Sequence, residues 1–340
     1  MRGILLFTAR MTPYLLALLI GVFGTKSLVS SAFLEPVDPG NSSSVSFLVE
    51  KGASIQKIAD QLAQQGLVKN TWSVNLIAKL KKIKGPLVAG EYKLSPGMTP
   101  HQVLDAILEG KIVYYDVVIP DGIRVDEVPR LIGATGLVSE QDMAAALNDR
   151  ALMVDVSISA GSFEGYLLPT TYKFTRPIDA RGMIVRMRNE GQKEITDKMI
   201  ERTIDLGFTF HQVLTIASII EKQASVRRER PTISSVMHNR LKIGMPLQSE
   251  PTLRYGLKKF DGPLTQQDLS AQSAYNTFQN TGLPPTPICN PSIKAIEAAL
   301  YPADTDFLYF VPRGDGTHEF SSSLKEHTKA VAKYRALNPN

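Results

Sequence analysis

Phe47-Leu48-Val49-Glu50-Lys51-Gly52 returns as Val117-Val118-Ile119-Pro120-Asp121-Gly122, and this echo decides how the first half of the chain folds. Each copy is a short apolar strand that ends in a turn glycine and runs into a helical spacing of apolar residues. That spacing is Ile55, Ile58, Ala59, Leu62 in the first copy and Val125, Val128, Leu131, Ile132 in the second. Both helices then meet the same stop, Gly66-Leu67-Val68 and Gly136-Leu137-Val138, at a constant offset of 70 residues. Glycine suits this place because the residue just past a helix commonly turns left-handed, a conformation that a Cβ disfavours. A weaker third copy lies between them, Tyr92-Lys93-Leu94-Ser95-Pro96-Gly97 followed by Thr99, Val103, Leu104 and Ile107.

Working outward, the first copy continues into a second predicted helix at 71–81 and a return strand at 91–94. Strand, helix, helix, strand over 47–95 resembles a small LysM-like carbohydrate-binding module. The alternative is a small α+β domain that only packs against its neighbour. Residues 96–155 then form a second small α+β repeat module. Upstream, Arg2 and Arg10 precede an apolar stretch, Met11 to Thr25, closed by Lys26. A membrane span needs about 17–25 residues, so this stretch serves as a transmembrane anchor if Arg10 snorkels and lets it extend. Ser30-Ser31-Ala32 offers the small residues of a cleaved signal peptide as the rival. Both readings export the chain, and the arginines leave the N-terminus in the cytoplasm. Residues 1–34 are thus the expected anchor and its cytoplasmic start. Residues 35–46, with Pro36, Pro39, Gly40 and a serine run, form a linker.

The composition narrows the chemistry. With 340 residues, 43% of them hydrophobic, the chain can bury a sizeable core and is neither disordered, collagenous nor a multi-span membrane protein. Its single cysteine, Cys289, forms no intramolecular disulfide and no multi-thiolate metal site. A net charge of +5 invites a nucleic-acid partner. The basic clusters, Lys79-Lys81-Lys82-Lys84 and Arg227-Arg228-Arg230, lack the aromatic platform on which bases stack, so none is expected.

From about residue 160 polar residues sit beside glycine, proline and aromatics in four compact runs. They are Glu164-Gly165-Tyr166-Leu167-Leu168-Pro169-Thr170-Thr171-Tyr172; Ile216-Ala217-Ser218-Ile219-Ile220-Glu221-Lys222; Asn239-Arg240-Leu241 with Gly244 to Thr252; and Tyr275-Asn276-Thr277 with Gly282-Leu283-Pro284-Pro285 and Asn290-Pro291. The second run begins at Thr209, which with Gln212 makes a capping box, while Phe208 and Val213 form a hydrophobic staple. On a helical wheel Val213, Ala217, Ile220 and Ala224 share one stripe, and Glu221 lies about 40° from Ala217 and about 20° from Leu214. A carboxylate on the shoulder of a buried face is partly desolvated, which raises its pKa toward that of a general acid. The plain alternative is a surface glutamate with apolar neighbours. There is no phosphate loop, dinucleotide fingerprint, zinc helix or serine elbow. The histidines lack metal-ligand spacing, and Cys289 has no partner pattern for a nucleophile. No metal and no cofactor is expected. What is left is carboxylate acid/base chemistry on a neutral polymer, with tyrosine, asparagine and glutamine side chains to hold sugars.

The four runs in this order, behind an anchor and a LysM-like piece, resemble the endolytic murein transglycosylase family, also called YceG-like. Glu-Gly-x-Leu-x-Pro, Ala-Ser-Ile-x-Glu-Lys, Asn-Arg-Leu, Gly-Leu-Pro-Pro and Tyr309-Phe310-Val311 carry the resemblance over essentially the whole chain. It implies an α+β protein with a YceG-like catalytic domain over 156–340 and Glu221 as the catalytic glutamate. It implies an inner-membrane, single-pass bacterial enzyme whose periplasmic part cuts peptidoglycan glycan strands internally and non-hydrolytically. Substrate-holding partners would be Glu164, Asn239, Gln248, Glu250, Thr252, Tyr255, Tyr275 and Asn276. Peptidoglycan synthases, the penicillin-binding proteins, are partners that tethering near new strands suggests. Two departures stand out. Thr170 occupies a position where the family usually has an acidic residue, and Glu250-Pro251-Thr252 replaces the family's Asp-Pro-Thr, lengthening the acidic arm. Two other functions are compatible with the residues: a hydrolytic muramidase in which Glu221 works with Glu164 or Glu250, and a membrane-anchored cell-wall scaffold without turnover.

Overall fold

The computed structural model describes residues 35–337 apart from 84 and 86. The expected anchor lies outside the described residues. Among these, no single helix is long and apolar enough to cross a membrane. The architecture is α+β, with two-stranded sheets set among many helices. The chain divides into two compact units. The first ends at Tyr115 and takes in Phe174–Pro177; the second comprises Asp116–Lys173 and the chain from Ile178 onward.

In the first unit, strand β1 (Val45–Val49) leads to helices α1 (Ile55–Gln64) and α2 (Thr71–Leu80) and returns as β2 (Gly90–Leu94). The two strands pair antiparallel with Phe47 opposite Tyr92, which is the strand, helix, helix, strand order expected. Ser54 caps α1 by accepting from Lys57 N at 3.2 Å. At the other end Gly66 stands at φ +67° and Leu67 N reaches back to Leu62 O at 2.9 Å, closing the helix as its glycine stop predicts. Phe47, Val49, Ile58, Leu62, Tyr92 and Leu94 form the core. Helix α3 (Pro100–Leu108), opened by a Thr99–Gln102 capping box, adds Val103, Leu104 and Ile107 to that core. The unit therefore runs past residue 95, because this apolar face seals the layer. The module expected over 96–155 is divided between the two units.

In the second unit the echo is visible in the backbone. Strand β3 (Tyr115–Val118) pairs with β4 (Thr171–Phe174), Gly122 stands at φ +72° and Gly136 at φ +67°. Between the glycines a 3-10 turn, Val125–Glu127, precedes a short helix, α4 (Val128–Gly133), which carries a proline in its first turn. Helices α5 (Glu140–Leu147) and α6 (Arg150–Asp155) follow, then α7 (Ala180–Lys193) and α8 (Asp197–Asp205). The centre of this unit is α9 (Phe210–Gln223), packed against α10 (Arg230–Lys242) and α13 (Ile293–Leu300). Between them in sequence come α11 (Glu250–Leu257) and α12 (Gln266–Leu269). A hairpin of β5 (Tyr309–Pro312) and β6 (His318–Ser321) and a final helix, α14 (Leu324–Leu337), complete the chain.

Candidate active site

Helix α9 begins as its sequence predicts. Thr209 Oγ1 accepts from Gln212 N at 3.2 Å, and Gln212 Oε1 accepts from Thr209 N at 2.8 Å. The wheel predicted one buried stripe, yet every residue from Val213 to Ile220 is buried. Packing on several sides leaves α9 no solvent face over two turns, and its polar residues satisfy themselves: Thr215 Oγ1 donates to His211 O at 2.8 Å, Ser218 Oγ to Thr215 O at 2.7 Å. Glu221 follows this buried run, and its side chain is 6% exposed. The carboxyl is not bare. Arg230 Nη2 donates to Oε1, while Ser292 N donates to Oε2 at 3.0 Å and Ser292 Oγ donates to the same oxygen. Arg230 Nη1 also donates to Ser292 Oγ at 3.1 Å, tying the two partners to each other.

Ser292 is placed there by Asn290, which is fully buried and acts as a hub. Its amide nitrogen and its backbone N both donate to Ile123 O, at 3.0 and 2.8 Å. Its side-chain oxygen accepts from Gly165 N and Leu167 N, each at 3.0 Å. The loop 120–125 is thus pinned beside Glu221. Gly122 sits against it: a Cβ there would lie 3.4 Å from Glu221 Cγ and 3.5 Å from Lys222 Nζ. The positive φ selects glycine, while a Cβ there would make only ordinary van der Waals contact.

The same loop binds a second carboxyl. Glu164, 3% exposed, accepts from Val125 N at 3.0 Å and from Tyr255 Oη at 2.9 Å. Burial pushes its pKa up to about 7, against the pull of these two donors. Burial, followed by the Glu164 charge, also pushes the Tyr255 phenol well up, so it keeps its proton. Tyr255 packs on Tyr275 with ring centres 5.0 Å apart, and Tyr275 Oη pairs with Thr286 Oγ1 at 2.7 Å.

Around Glu164, Tyr255 and the loop 120–125 lies a run of cavities. One of about 480 Å³ is lined by Glu164, Tyr255, Tyr275 and Phe260. A second, of about 460 Å³, shares Tyr255 and Phe260 and adds Arg124, Lys222 and Glu250. A third, of about 760 Å³, shares Arg124 and Lys222 and is floored by Gly122. Arg124, which lines the second and third, stacks on the Phe260 ring, which lines the first and second, 3.6 Å from its centre. The flat faces of Tyr255, Tyr275 and Phe260 beside the hydrogen-bonding side chains of Arg124, Lys222 and Glu250 suit a sugar polymer.

Of the expected partners, Glu164, Tyr255, Tyr275 and Glu250 face these cavities. Glu250 is held by Arg254 at 2.6 Å. The others brace the framework. Asn239 donates to Thr305 O and Phe307 O, both at 2.9 Å. Thr252, fully buried, pairs with Ser249 O and Thr277 Oγ1 at 2.7 and 2.8 Å. Asn276, also fully buried, donates to Leu269 O and Ala271 O at 3.1 and 2.8 Å. Gln248 is exposed in the left-handed region, φ +50°, and its backbone N reaches Thr277 O at 2.9 Å. In the sequence Gly122 reads only as a turn glycine and Arg230 only as part of a basic cluster, and Ser292 is not singled out. The helix-capping serine after Asn290-Pro291 was the available signal for Ser292.

The model of the YceG-like family matches residues 47–333. A protein of Bacillus subtilis strain 168, described as endolytic murein transglycosylase, is 30% identical over 328 residues, covering 92% of this chain and 91% of that one. A protein of Streptococcus pneumoniae strain R6 with the same description is 28% identical; the match covers 92% of this chain and 62% of that longer protein. A crystal structure of a YceG-like protein from Listeria monocytogenes superposes with a TM-score of 0.58 at 32% identity, over 84% of this chain and 99% of that one.

Proposed function

The chain belongs to the YceG-like family, and from that premise we propose that it is an endolytic murein transglycosylase in which Glu221 is the general acid and base. The observation that carries this reading is the Glu221 carboxyl itself, buried at the end of α9, oriented by Arg230 and Ser292 and overlain by a glycine. Glu221 would protonate the oxygen joining muramic acid C1 to the next glucosamine, and the C1–O bond breaks. The C6 hydroxyl of the same muramyl residue then attacks C1 and gives its proton to the carboxylate, leaving a 1,6-anhydro end. The substrate supplies its own nucleophile, so one carboxylate suffices where ordinary glycoside hydrolysis uses two. Arg230 balances the charge left on Glu221 between the two transfers. The run of cavities would hold the strand on either side of the cut, and cutting nascent strands would end their elongation. Membrane attachment through the first 34 residues, a periplasmic location, glycan binding by the first unit and association with glycan-polymerising synthases belong to the same proposal.

The test is product analysis on peptidoglycan. Wild type is expected to release fragments with anhydromuramyl ends, and Glu221→Gln to fold and lose about 100-fold or more of the rate. Equal fragment release by the variant would remove Glu221 from the chemistry. A second reading, hydrolysis, is favoured by one observation: Glu164 is a second buried carboxyl held to about 7. Reducing muramyl ends without anhydro species would select it.

A further inference from the structure

A fourth cavity, of about 860 Å³, is lined in part by Arg230 and takes no part in the chemistry above. Its floor is apolar, made by Met199, Ala298 and the Tyr301 ring. Its rim carries Lys198, Arg227, Arg228 and Lys294 against one carboxylate, Glu297. Glu297 is already held by Lys294 at 2.7 Å, and Arg227 faces Asp121 at 3.6 Å. Asp121 lines the third cavity, so the fourth adjoins the proposed glycan groove. Lys198 and Arg228 are exposed and have no ion pair or hydrogen bond among the described residues. Arg230 itself is 5% exposed, and its Nε is buried without an acceptor although both Nη atoms are used.

Two free cations over an apolar floor fit a ligand with several carboxylates and small apolar groups. Resting on the murein reading, we propose that this cavity binds the peptide stem carried by the muramyl residue, an acidic peptide whose alanyl methyls lie on Met199, Ala298 and Tyr301. Arg230 joins the two sites. It lines this cavity and holds Glu221, so stem binding beside it would set the muramyl C1 over the carboxyl. The stem is then a specificity determinant rather than a bystander.

The experiment pairs binding with turnover, using the whole chain and the double variant Lys198→Ala/Arg228→Ala. A synthetic stem peptide with free carboxylates is expected to bind wild type, and both its amidated counterpart with wild type and the free-acid peptide with the variant are expected to bind about five- to tenfold more weakly. On stem-bearing strands the variant's KM should rise about five- to tenfold with kcat unchanged, two exposed charge pairs being worth that much. Strands stripped of stems by an amidase should be cut equally by both. Equal binding of the peptide by wild type and variant, equal binding of the amidated form, or no peptide binding overturns the proposal. So does binding of anionic lipid vesicles that depends on Lys198 and Arg228 without peptide binding. If the peptide binds as expected but no strand is cut, the murein-cleavage reading falls while the stem site stands.

Discussion

Glu164 ties the site to pH. Its carboxyl titrates near 4.5 in an open chain and about 7 in the fold, so the folded protein holds that proton more tightly. The resulting stabilisation is complete below about 4.5 and lost as pH rises through about 7; it amounts to no more than about 3 kcal/mol. Glu164→Gln should therefore melt like wild type at pH 4 and above it at pH 8, and thermal unfolding across that range checks the crossover. The residue was readable in the sequence because it opens a compact polar run. Its neighbours were harder. Asn239, Thr252 and Asn276 are uncharged hydrogen-bonding groups in similar runs, and their residue type suits backbone carbonyls as well as sugars. Only their partners, such as Leu269 O and Thr305 O, separate the two uses. Arg230 was visible merely as part of a basic cluster, because its other contact, Ser292, lies 62 residues further along the chain.

At the scale of elements, α9 shows what periodicity conveys and what it omits. The capping box, the start and the placing of Glu221 all follow from local residues. The number of faces buried does not, since it depends on α10 and α13 arriving from later in the chain. A helix buried this thoroughly draws its stability from packing, and its cap chiefly sets where it begins. Thr209→Ala should cost about 1 kcal/mol and lower the melting temperature by about 2–4 °C. Turnover per folded molecule should stay within about twofold, because Glu221 is held by Arg230 and Ser292 at the opposite end; calorimetry and the fragment-release assay measure the two separately. Helix α4 is a counterpart. It repeats the pattern of α1, but a proline in its first turn and the preceding 3-10 turn shorten it.

For the whole molecule, the strand, helix, helix, strand order of the first unit was legible and its reach beyond residue 95 was not. A boundary after residue 95 ignores that Val103, Leu104 and Ile107 are fully buried in the first core. Removing three such side chains forfeits on the order of 5 kcal/mol, comparable to the entire stability of a small domain. A fragment of residues 45–95 should therefore melt without cooperativity, whereas 35–115 should show a cooperative transition by circular dichroism. The same partition bears on how the protein would withstand proteolysis. Because Phe174–Pro177 belongs to the first unit, the polypeptide leaves that unit at Tyr115, comes back to it and departs again. Arg176 lies over the Tyr115 ring at 5.4 Å, within the returning segment. A lone nick after Tyr115 would give two pieces, each containing part of the same folded unit. Their separation would require that unit to open, so a protein nicked once would still migrate as one body until denatured.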